Sequence, residues 1–276
     1  MQFLLWALVV LCVLFLGYVF LCLPHLPRRP MDPLMGWDYA HRGLWNRELP
    51  ENSLAAFRNA VAHGFGMEMD VHLTADEQLV VFHDDDLQRM CGDSRRISAC
   101  TLAELQQLRL LDTNEGIPTF DAFLNTVNGQ TPLIIELKSD QKMERLCELV
   151  EERLRSYPGV YCVESFNPTA VRWWRKHRPD VIRGQLTLGL VKPGKTKKTT
   201  ETRLLASMMI NVLGRPDFVA METITDHSLP MRLQRLLRPW LVAWTVRSRE
   251  EMDRLRGRYD LQIFEGFVPE KTKKNV

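Results

Sequence analysis

From residue 37 onward, short runs rich in β-branched and aromatic residues alternate with runs that have helical spacing. Regular alternation of strands and helices over this length is typical of a parallel sheet covered by helices. This pattern constrains the fold most, because parallel neighbouring strands need a long crossover connection between them. The candidate strands cover residues 38–42, 66–73, 79–83, 132–138, 160–166, 181–187, 217–222, 241–247 and 261–268.

The run 79–83 follows 66–73 after a very short connection, so we expect these two runs to form a hairpin-like extension of one strand. Eight strands then remain in about 240 residues, which is the size of a TIM (β/α)8 barrel. A doubly wound open sheet is the alternative. It is disfavoured because no Gly-x-Gly-x-x-Gly motif follows the first strand. We therefore predict an α/β chain with a (β/α)8 barrel over residues 37–270 and a basic tail over 271–276.

The N-terminal segment is a separate feature. Residues 2–23 carry no charged side chain, and about 20 apolar residues suffice to span a bilayer as a helix. No basic residue precedes this run and Leu21-Cys22-Leu23 is a poor cleavage site, so an uncleaved transmembrane anchor is favoured over a signal peptide. Arg28 and Arg29 lie in the linker 24–36 that follows. The positive-inside rule then predicts a single-pass membrane protein with its catalytic domain in the cytoplasm.

The charge balance and the cysteines narrow the classes of partner. Lysine and arginine total 36 against 34 aspartates and glutamates, so the net charge of +2 gives no reason to expect a nucleic-acid partner. The six cysteines show neither a Cys-x-x-Cys pair nor zinc-finger spacing, which is typical of reduced thiols.

One predicted loop, 189–213, joins basic residues to an apolar segment. This combination suits an anionic membrane surface, and a solvated loop followed by an ordinary barrel helix explains it equally well. Its basic residues are Lys192, Lys195, Lys197 and Lys198.

Ionisable residues gather at the carboxyl ends of the predicted strands, where TIM barrels hold their active sites. Glu68 and Asp70 are two residues apart on one strand, so both side chains point to the same face of the sheet. Glu136 and Lys138 are paired in the same way on the next strand. The full set is His41, Arg42, Glu68, Asp70, His83, Glu136 and Lys138.

These residue types together suit one kind of chemistry. Three carboxylates at one place repel each other unless a divalent cation lies between them, and an all-oxygen ligand set favours Mg²⁺ or Ca²⁺ over Zn²⁺. Two imidazoles can act as general acid and general base near neutral pH, while an arginine and a lysine can hold a phosphoryl group. The alternative for each residue alone is a surface ion pair or a structural histidine. The combination predicts metal-assisted hydrolysis of a phosphodiester.

The same residues belong to longer motifs. The stretches AHRG and PENSLAAFRNAVAHGFGMEMDVHLTADEQLVVFHDDDLQRMCG resemble the opening of the glycerophosphodiester phosphodiesterase family. LIIELK, ESFNP and AWTV resemble later landmarks of that family, so the resemblance covers essentially everything after residue 36. The family is also similar to the phosphatidylinositol-specific phospholipases C.

The resemblance implies a TIM barrel that hydrolyses glycerophosphodiesters to an alcohol and glycerol 3-phosphate with a divalent metal, either Mg²⁺ or Ca²⁺. Residue roles are carried over by position. His41 and His83 correspond to the acid–base pair, and Glu68, Asp70 and Glu136 to the metal ligands. Substrate-binding positions correspond to Arg42, Lys138, Glu51, Asn52 and Trp244, of which Trp244 is equally compatible with the barrel core. Glu51 is also expected near the metal. Direct attack by water and attack by the substrate's own hydroxyl through a cyclic phosphate both remain open.

Two places depart from the family pattern. Arg247 stands where an asparagine is common, and the segment 264–269 lacks the usual Thr-Asp. Two other functions therefore stay in view. One is phospholipase C-like or D-like action on lysophospholipids or membrane lipids. The other is an inactive barrel that acts as a binding protein, which is disfavoured because an unused charged cluster destabilises the fold.

Overall fold

The computed structural model describes residues 2–138, 142–188, 200–223 and 228–270, with only the backbone described at residues 201 and 202. Eight parallel strands form a closed barrel, in which β1 pairs with both β2 and β9. The remaining strand, β3, pairs antiparallel with β2 outside this ring, as the predicted hairpin requires. The strands are β1 Asp38–His41, β2 Gly66–Leu73, β3 Leu79–Val81, β4 Leu133–Leu137, β5 Tyr161–Ser165, β6 Arg183–Thr187, β7 Phe218–Glu222, β8 Trp240–Val246 and β9 Leu261–Phe264.

Helices follow the strands along the chain and cover the outside of the barrel. Most begin at a serine, threonine or asparagine whose side chain accepts a backbone N–H of the first turn, such as Ser53, Thr119 and Ser248. They are α1 Gln2–Cys22, α2 Leu54–Ala62, α3 Gln88–Cys91, α4 Leu102–Leu105, α5 Phe120–Val127, α6 Met143–Leu154, α7 Pro168–His177, α8 Thr200–Ser207, α9 Asn211–Gly214, α10 Leu229–Leu237 and α11 Arg249–Leu255. The predicted TIM barrel is confirmed.

The inward-facing side chains of the barrel change from apolar to polar along the strands. Near the amino ends of the strands the inward side chains are apolar, for example Tyr39 on β1, Ile134 on β4 and Cys162 on β5. Side chains alternate between the two faces of a strand, so the next inward residue lies two positions further on. At those positions stand His41, Glu136 and Glu164, which places the polar site at the carboxyl ends of the strands.

The segment 24–36 packs beneath the barrel. Met31 and Leu34 are buried in the same inner apolar cluster as Tyr39, and the Tyr39 hydroxyl donates to the Leu34 carbonyl at 2.7 Å. Arg29 forms an ion pair with the buried carboxylate of Asp217, which directly precedes β7. This segment therefore closes the end of the barrel opposite the polar site.

The helix α1 is long and apolar enough to cross a bilayer, a property that it shares with signal sequences near an N-terminus. Its first four turns are almost entirely exposed, whereas Cys22 in its last turn is buried against the barrel. The loop residues Lys192, Lys195, Lys197 and Lys198, for which a membrane contact is expected, lie outside the described residues.

Asp217 holds two arginines at the closed end of the barrel. Its carboxylate accepts from Arg29 Nε at 2.7 Å and from the backbone N–H of Arg183 at 3.0 Å, and the buried Arg183 guanidinium lies 3.7 Å away. Burial lowers the pKa of Arg183 to about 10, against the opposing effect of Asp217. The carboxylate therefore compensates buried positive charge.

We expect Asp217→Asn to destabilise the fold by about 3–5 kcal/mol, because it leaves buried positive charge without a partner. Chemical denaturation of the detergent-solubilised chain, followed by tryptophan fluorescence, measures this. The matched control is Asp180→Asn, whose carboxylate is mostly exposed beside Arg178. Equal unfolding midpoints for the two variants would show that the Asp217 pairing contributes nothing to stability.

Candidate active site

A cavity of about 470 Å³ opens at the carboxyl ends of the barrel strands. One side of it is ionisable and the other apolar. The ionisable lining consists of His41, Arg42, Glu68, His83, Glu136, Lys138 and Glu164, and the apolar lining of Phe166, Leu186, Leu188, Leu205, Trp244 and Ile263. This cavity contains most of the residues that the sequence singles out.

Three carboxylates meet on the neighbouring strands β2 and β4. Asp70 and Glu136 are direct partners in the parallel register, and Glu68 lies one inward position before Asp70. Oxygen atoms of the three side chains lie within 4.8 Å of one another, and all three residues are buried. Among the residues that the structure describes, this is the group whose geometry suits a metal ion.

Positive charge compensates two of these carboxylates. Lys138 Nζ lies 3.1 Å from Glu136 and 3.3 Å from Asp70, and Asn52 donates to Asp70 at 2.8 Å. Burial disfavours the ionised form of Asp70, but Lys138, His83 and Arg42 outweigh it and hold its pKa well below the usual value. Burial also disfavours the charge of Lys138, yet Glu136 and Asp70 raise its pKa. The pairing of Asp70 with Lys138 therefore favours the charged form of each.

A fourth carboxylate, Glu164, was not singled out from the sequence. It is buried on β5 in register with Glu136, and its Oε2 atom has no hydrogen-bond partner. Burial raises its pKa well above the usual range, and the charges of Glu136 and Asp70 add to this effect. The signal was available, because Glu164 is an acid within an apolar strand, as Glu68 and Glu136 are.

The three carboxylates Glu68, Asp70 and Glu136 fit a divalent cation. Burial and the negative charges of Asp70 and Glu136 raise the pKa of Glu68 well above its usual value, against the opposing charge of Arg42. Asp70 Oδ1 is buried without a hydrogen-bond partner, although Lys138 is close to it. The donor atoms are all carboxylate oxygens, the type that Mg²⁺ and Ca²⁺ prefer.

His41 is held by a carboxylate on the last strand's loop. Its Nδ1 lies 2.6 Å from Glu265, and Arg247 binds the other oxygen of Glu265 at 2.8 Å. Burial lowers the pKa of His41, and the Glu265 hydrogen bond opposes this. Arg247 and Glu265 lie in the two places where the sequence departs from the family pattern, and the structure pairs them with each other behind His41.

His83, which also lines the cavity, is held in the same way. Its Nδ1 lies 2.6 Å from Asp84, which in turn accepts from Arg89 Nε at 2.6 Å. Arg89 also binds Glu51 at 2.6 Å, and Glu51 accepts from Arg42 at 2.7 Å. A chain of alternating charges thus connects His83 to the centre of the site. Glu51 forms part of this chain and lies outside the carboxylate group described above.

The corner between β1 and α2 adopts unusual backbone geometry. Arg42 and Asn52 have φ angles of 59° and 56°, in the left-handed region that non-glycine residues rarely occupy. The Asn52 N–H donates to the Arg42 carbonyl at 2.9 Å, which ties the two together. Gly43 between them has a φ of 80°, and a Cβ atom there would lie 2.9 Å from the Phe57 ring. The corner therefore requires glycine and turns Arg42 and Asn52 toward Asp70.

All of the predicted site residues lie at this end of the barrel. His41, Arg42, Glu68, His83, Glu136, Lys138 and Trp244 line the cavity, and Asp70, Asn52 and Glu51 support them from beneath or beside. Trp244 packs edge-on against Phe166 at 5.8 Å and so forms part of the apolar wall. The sequence analysis overlooked Glu164, Glu265, Asp84 and Arg89. Asp84 directly follows His83 within the family-like stretch, whereas Glu265 lies in a segment that departs from the family pattern and meets His41 only through the fold.

The glycerophosphoryl diester phosphodiesterase family matches this chain over residues 41–259. A glycerophosphodiester phosphodiesterase from Caldanaerobacter subterraneus subsp. tengcongensis is 29% identical over 230 residues, which cover 78% of this chain and 88% of that protein. A putative glycerophosphodiester phosphodiesterase from Bacillus subtilis is 35% identical over 157 residues, covering 54% of this chain and 64% of that protein. Lysophospholipase D from Homo sapiens is 34% identical over 155 residues, covering 49% and 48%.

Solved structures show the same fold. A phosphodiesterase from Oleispira antarctica, solved with its product sn-glycerol-3-phosphate, superposes with a TM-score of 0.69 at 22% identity, covering 83% of this chain and 93% of that one. The family match over residues 41–259 establishes that the chain belongs to the glycerophosphoryl diester phosphodiesterase family. The expected family and the expected enzyme class, a phosphoric diester hydrolase, are confirmed.

Proposed function

We propose that this protein hydrolyses glycerophosphodiesters to an alcohol and glycerol 3-phosphate. One observation carries the proposal: three buried carboxylates and two carboxylate-held histidines border one cavity at the carboxyl ends of the barrel strands. The name of the Caldanaerobacter relative supports this substrate class. An inactive barrel would have no need for two separately braced histidines at the same cavity.

Glu68, Asp70 and Glu136 would hold a divalent cation, either Mg²⁺ or Ca²⁺. Such an ion, when bound, polarises a phosphoryl oxygen and neutralises developing negative charge. Arg42 and Lys138 line the cavity beside these carboxylates and add positive charge where a phosphate would lie. Part of their charge already compensates Glu51, Asp70 and Glu136, so their role is to orient the phosphate as well as to attract it.

The two histidines would carry the protons. In each ring Nδ1 is occupied by a carboxylate, Glu265 for His41 and Asp84 for His83, so that Nε2 remains for the substrate. One imidazole takes the proton from the attacking oxygen and the other returns a proton to the leaving oxygen. The same pair serves attack by water and attack by the glycerol hydroxyl.

We expect His41→Ala and His83→Ala each to lower turnover by about 100-fold or more, because each removes one proton-transfer group. Release of glycerol 3-phosphate from glycerophosphocholine and glycerophosphoglycerol measures this. The matched control is His63→Ala, since His63 is exposed beyond the end of α2 and should leave the rate unchanged. A near-normal rate in either cavity variant would remove that histidine from the mechanism, and no activity in the unaltered chain would favour the binding-protein alternative.

We expect Mg²⁺ or Ca²⁺ at about 100 times its dissociation constant to stabilise the unaltered chain by about 2.7 kcal/mol, because only the folded site binds the ion. Glu68→Gln should lose most of this stabilisation, whereas Glu48→Gln, an exposed residue of the same β1–α2 connection, should keep it. Thermal melting with each metal and with a chelator measures both. If the Glu68 variant responds to metal like the Glu48 variant, Glu68 is not a ligand.

A lysophospholipid is the second candidate substrate, and the apolar half of the cavity favours it. Phe166, Leu186, Leu188, Leu205 and Trp244 face the ionisable side across the cavity, and a soluble diester offers little apolar surface to contact them. The human relative is named a lysophospholipase D. Phospholipase D-like hydrolysis of such a lipid would use the same catalytic groups as the first proposal.

If the apolar wall binds an acyl chain, Trp244→Ala should lower kcat/KM for lysophosphatidylcholine by about 10-fold, through lost apolar contact. The value for glycerophosphocholine, which has no acyl chain, should change much less and serves as the internal control. Rates measured on the same preparation with both substrates decide this. Equal losses for the two substrates would mean that Trp244 supports the barrel and not an acyl chain.

The proposed membrane location of the protein rests on α1. We infer that α1 is a retained anchor, with domain boundaries near 2–23, 24–36 and 37–270. Cys22 is fully buried, and the buried side-chain amides of Asn211 and Gln234 donate to its carbonyl at 3.4 and 3.0 Å. Removal of α1 would leave these donors without their partner, at a cost typical of unsatisfied buried groups. Arg28 and Arg29 directly after the helix favour a cytoplasmic barrel.

A further inference from the structure

The structure points to a membrane-contacting flank on the barrel. We propose that the outer surface formed by α8, α9 and α10, here called the leucine flank, lies against the anionic bilayer in which α1 ends. The flank comprises the exposed residues Leu204, Leu213, Leu229, Arg232 and Leu236. The inference rests on the proposal that α1 is a retained anchor, and it adds which side of the barrel meets the lipid.

The helix α1 is joined to the barrel at this surface by several hydrogen bonds. Its last turn lies between α9 and α10, because Asn211 of α9 and Gln234 of α10 both donate to the Cys22 carbonyl. Arg215 donates to the carbonyls of Phe20 and Leu23 at 2.8 and 3.0 Å and lies over the Phe20 ring. The free carbonyls at the end of a helix are thus bound by the barrel itself. A junction of this kind holds one flank next to the point where α1 leaves the bilayer.

The outer face of α10 exposes leucines and an arginine. Leu229 and Leu236 are 74% and 78% exposed, and their spacing of seven residues places them on the same side of the helix. Arg232 is exposed between them, and α10 contains no acidic residue. Exposed leucines interspersed with arginines are typical of helices that lie in the interface of an anionic membrane.

Exposed apolar residues also lie on the neighbouring helices α8 and α9. Leu204 on α8 and Leu213 on α9 are also large exposed apolar residues, so the apolar surface extends across the helices beside the α1 junction. Other such residues in the described part of the barrel, for example Leu111 and Val160, lie in the α4–α5 and α6–β5 connections. The apolar surface and the membrane helix therefore share one side of the molecule.

This placement bears on access to the active site. Leu205, next to Leu204 on α8, lines the apolar wall of the cavity, so one short helix separates the cavity from the leucine flank. A substrate with an apolar part at the interface would reach the apolar wall across α8.

Site-directed fluorescence quenching tests the proposal on the full chain. A bimane label is placed on Leu229→Cys or Leu236→Cys in a Cys12→Ala, Cys91→Ala background, in vesicles of phosphatidylcholine and phosphatidylglycerol that contain lipids with a nitroxide near the headgroup. We expect about a twofold loss of emission at both positions, because an interfacial helix inserts its apolar face to about 5–10 Å. Matched controls are Leu111→Cys and Val160→Cys, which should keep their emission. Emission at 229 and 236 as high as at 111 would overturn the proposal.

Two further measurements on the same vesicles separate this inference from the proposals on which it rests. A label on native Cys12, within α1, reports whether the helix enters the bilayer, with quenching by nitroxides on the acyl chains as the expected result. Quenching at Cys12 without quenching at 229 and 236 would support the α1 anchor and refute the membrane contact of the leucine flank. No quenching at Cys12 would refute both proposals. Hydrolysis of glycerophosphocholine tests the catalytic proposal independently of either outcome.

Discussion

The burial of several carboxylates at one end of the barrel is the constraint on which the site depends. Each buried ion costs several kcal/mol unless it is paired, and the parallel register places Asp70 directly beside Glu136. Lys138 and Asn52 compensate part of this charge, and the left-handed backbone at Arg42 and Asn52 aims both residues at the cluster. The β1–α2 corner, with its required Gly43, is thus explained as a support for the acids on β2 and β4.

The two histidines are held at the cavity by separate carboxylates. Glu265 fixes His41 and is itself held by Arg247, while Asp84 fixes His83 and is held by Arg89. Glu51 joins Arg89 to Arg42, so the contacts that hold His83 extend to the arginine beside the three carboxylates. Because a hydrogen-bonded carboxylate sets the orientation of each ring, both imidazoles are fixed at the cavity before a substrate arrives.

Local periodicity predicted the barrel and the centre of its site, because a spacing of two along a strand fixes which side chains share a face. It gave Glu68 with Asp70 and Glu136 with Lys138. Glu164 is likewise an acid within an apolar strand, and it was overlooked. Asp84 is the chain neighbour of His83, so this pairing is local. Glu265 pairs with His41 across 224 residues, so its role could not be assigned from the sequence. The packing of segment 24–36 beneath the barrel and the α1 junction likewise depend on contacts between residues far apart in the chain.

We propose that Glu68, Asp70 and Glu136 share one divalent cation within reach of both histidines. A crystal structure of the chain with Mn²⁺, which takes the same oxygen ligands as Mg²⁺ and scatters anomalously, tests it most directly. We expect one anomalous peak between these three residues, at about 2.0–2.6 Å from an oxygen of each. A map without a peak there, in which Lys138 still bridges Asp70 and Glu136, would show that the three carboxylates do not share a metal.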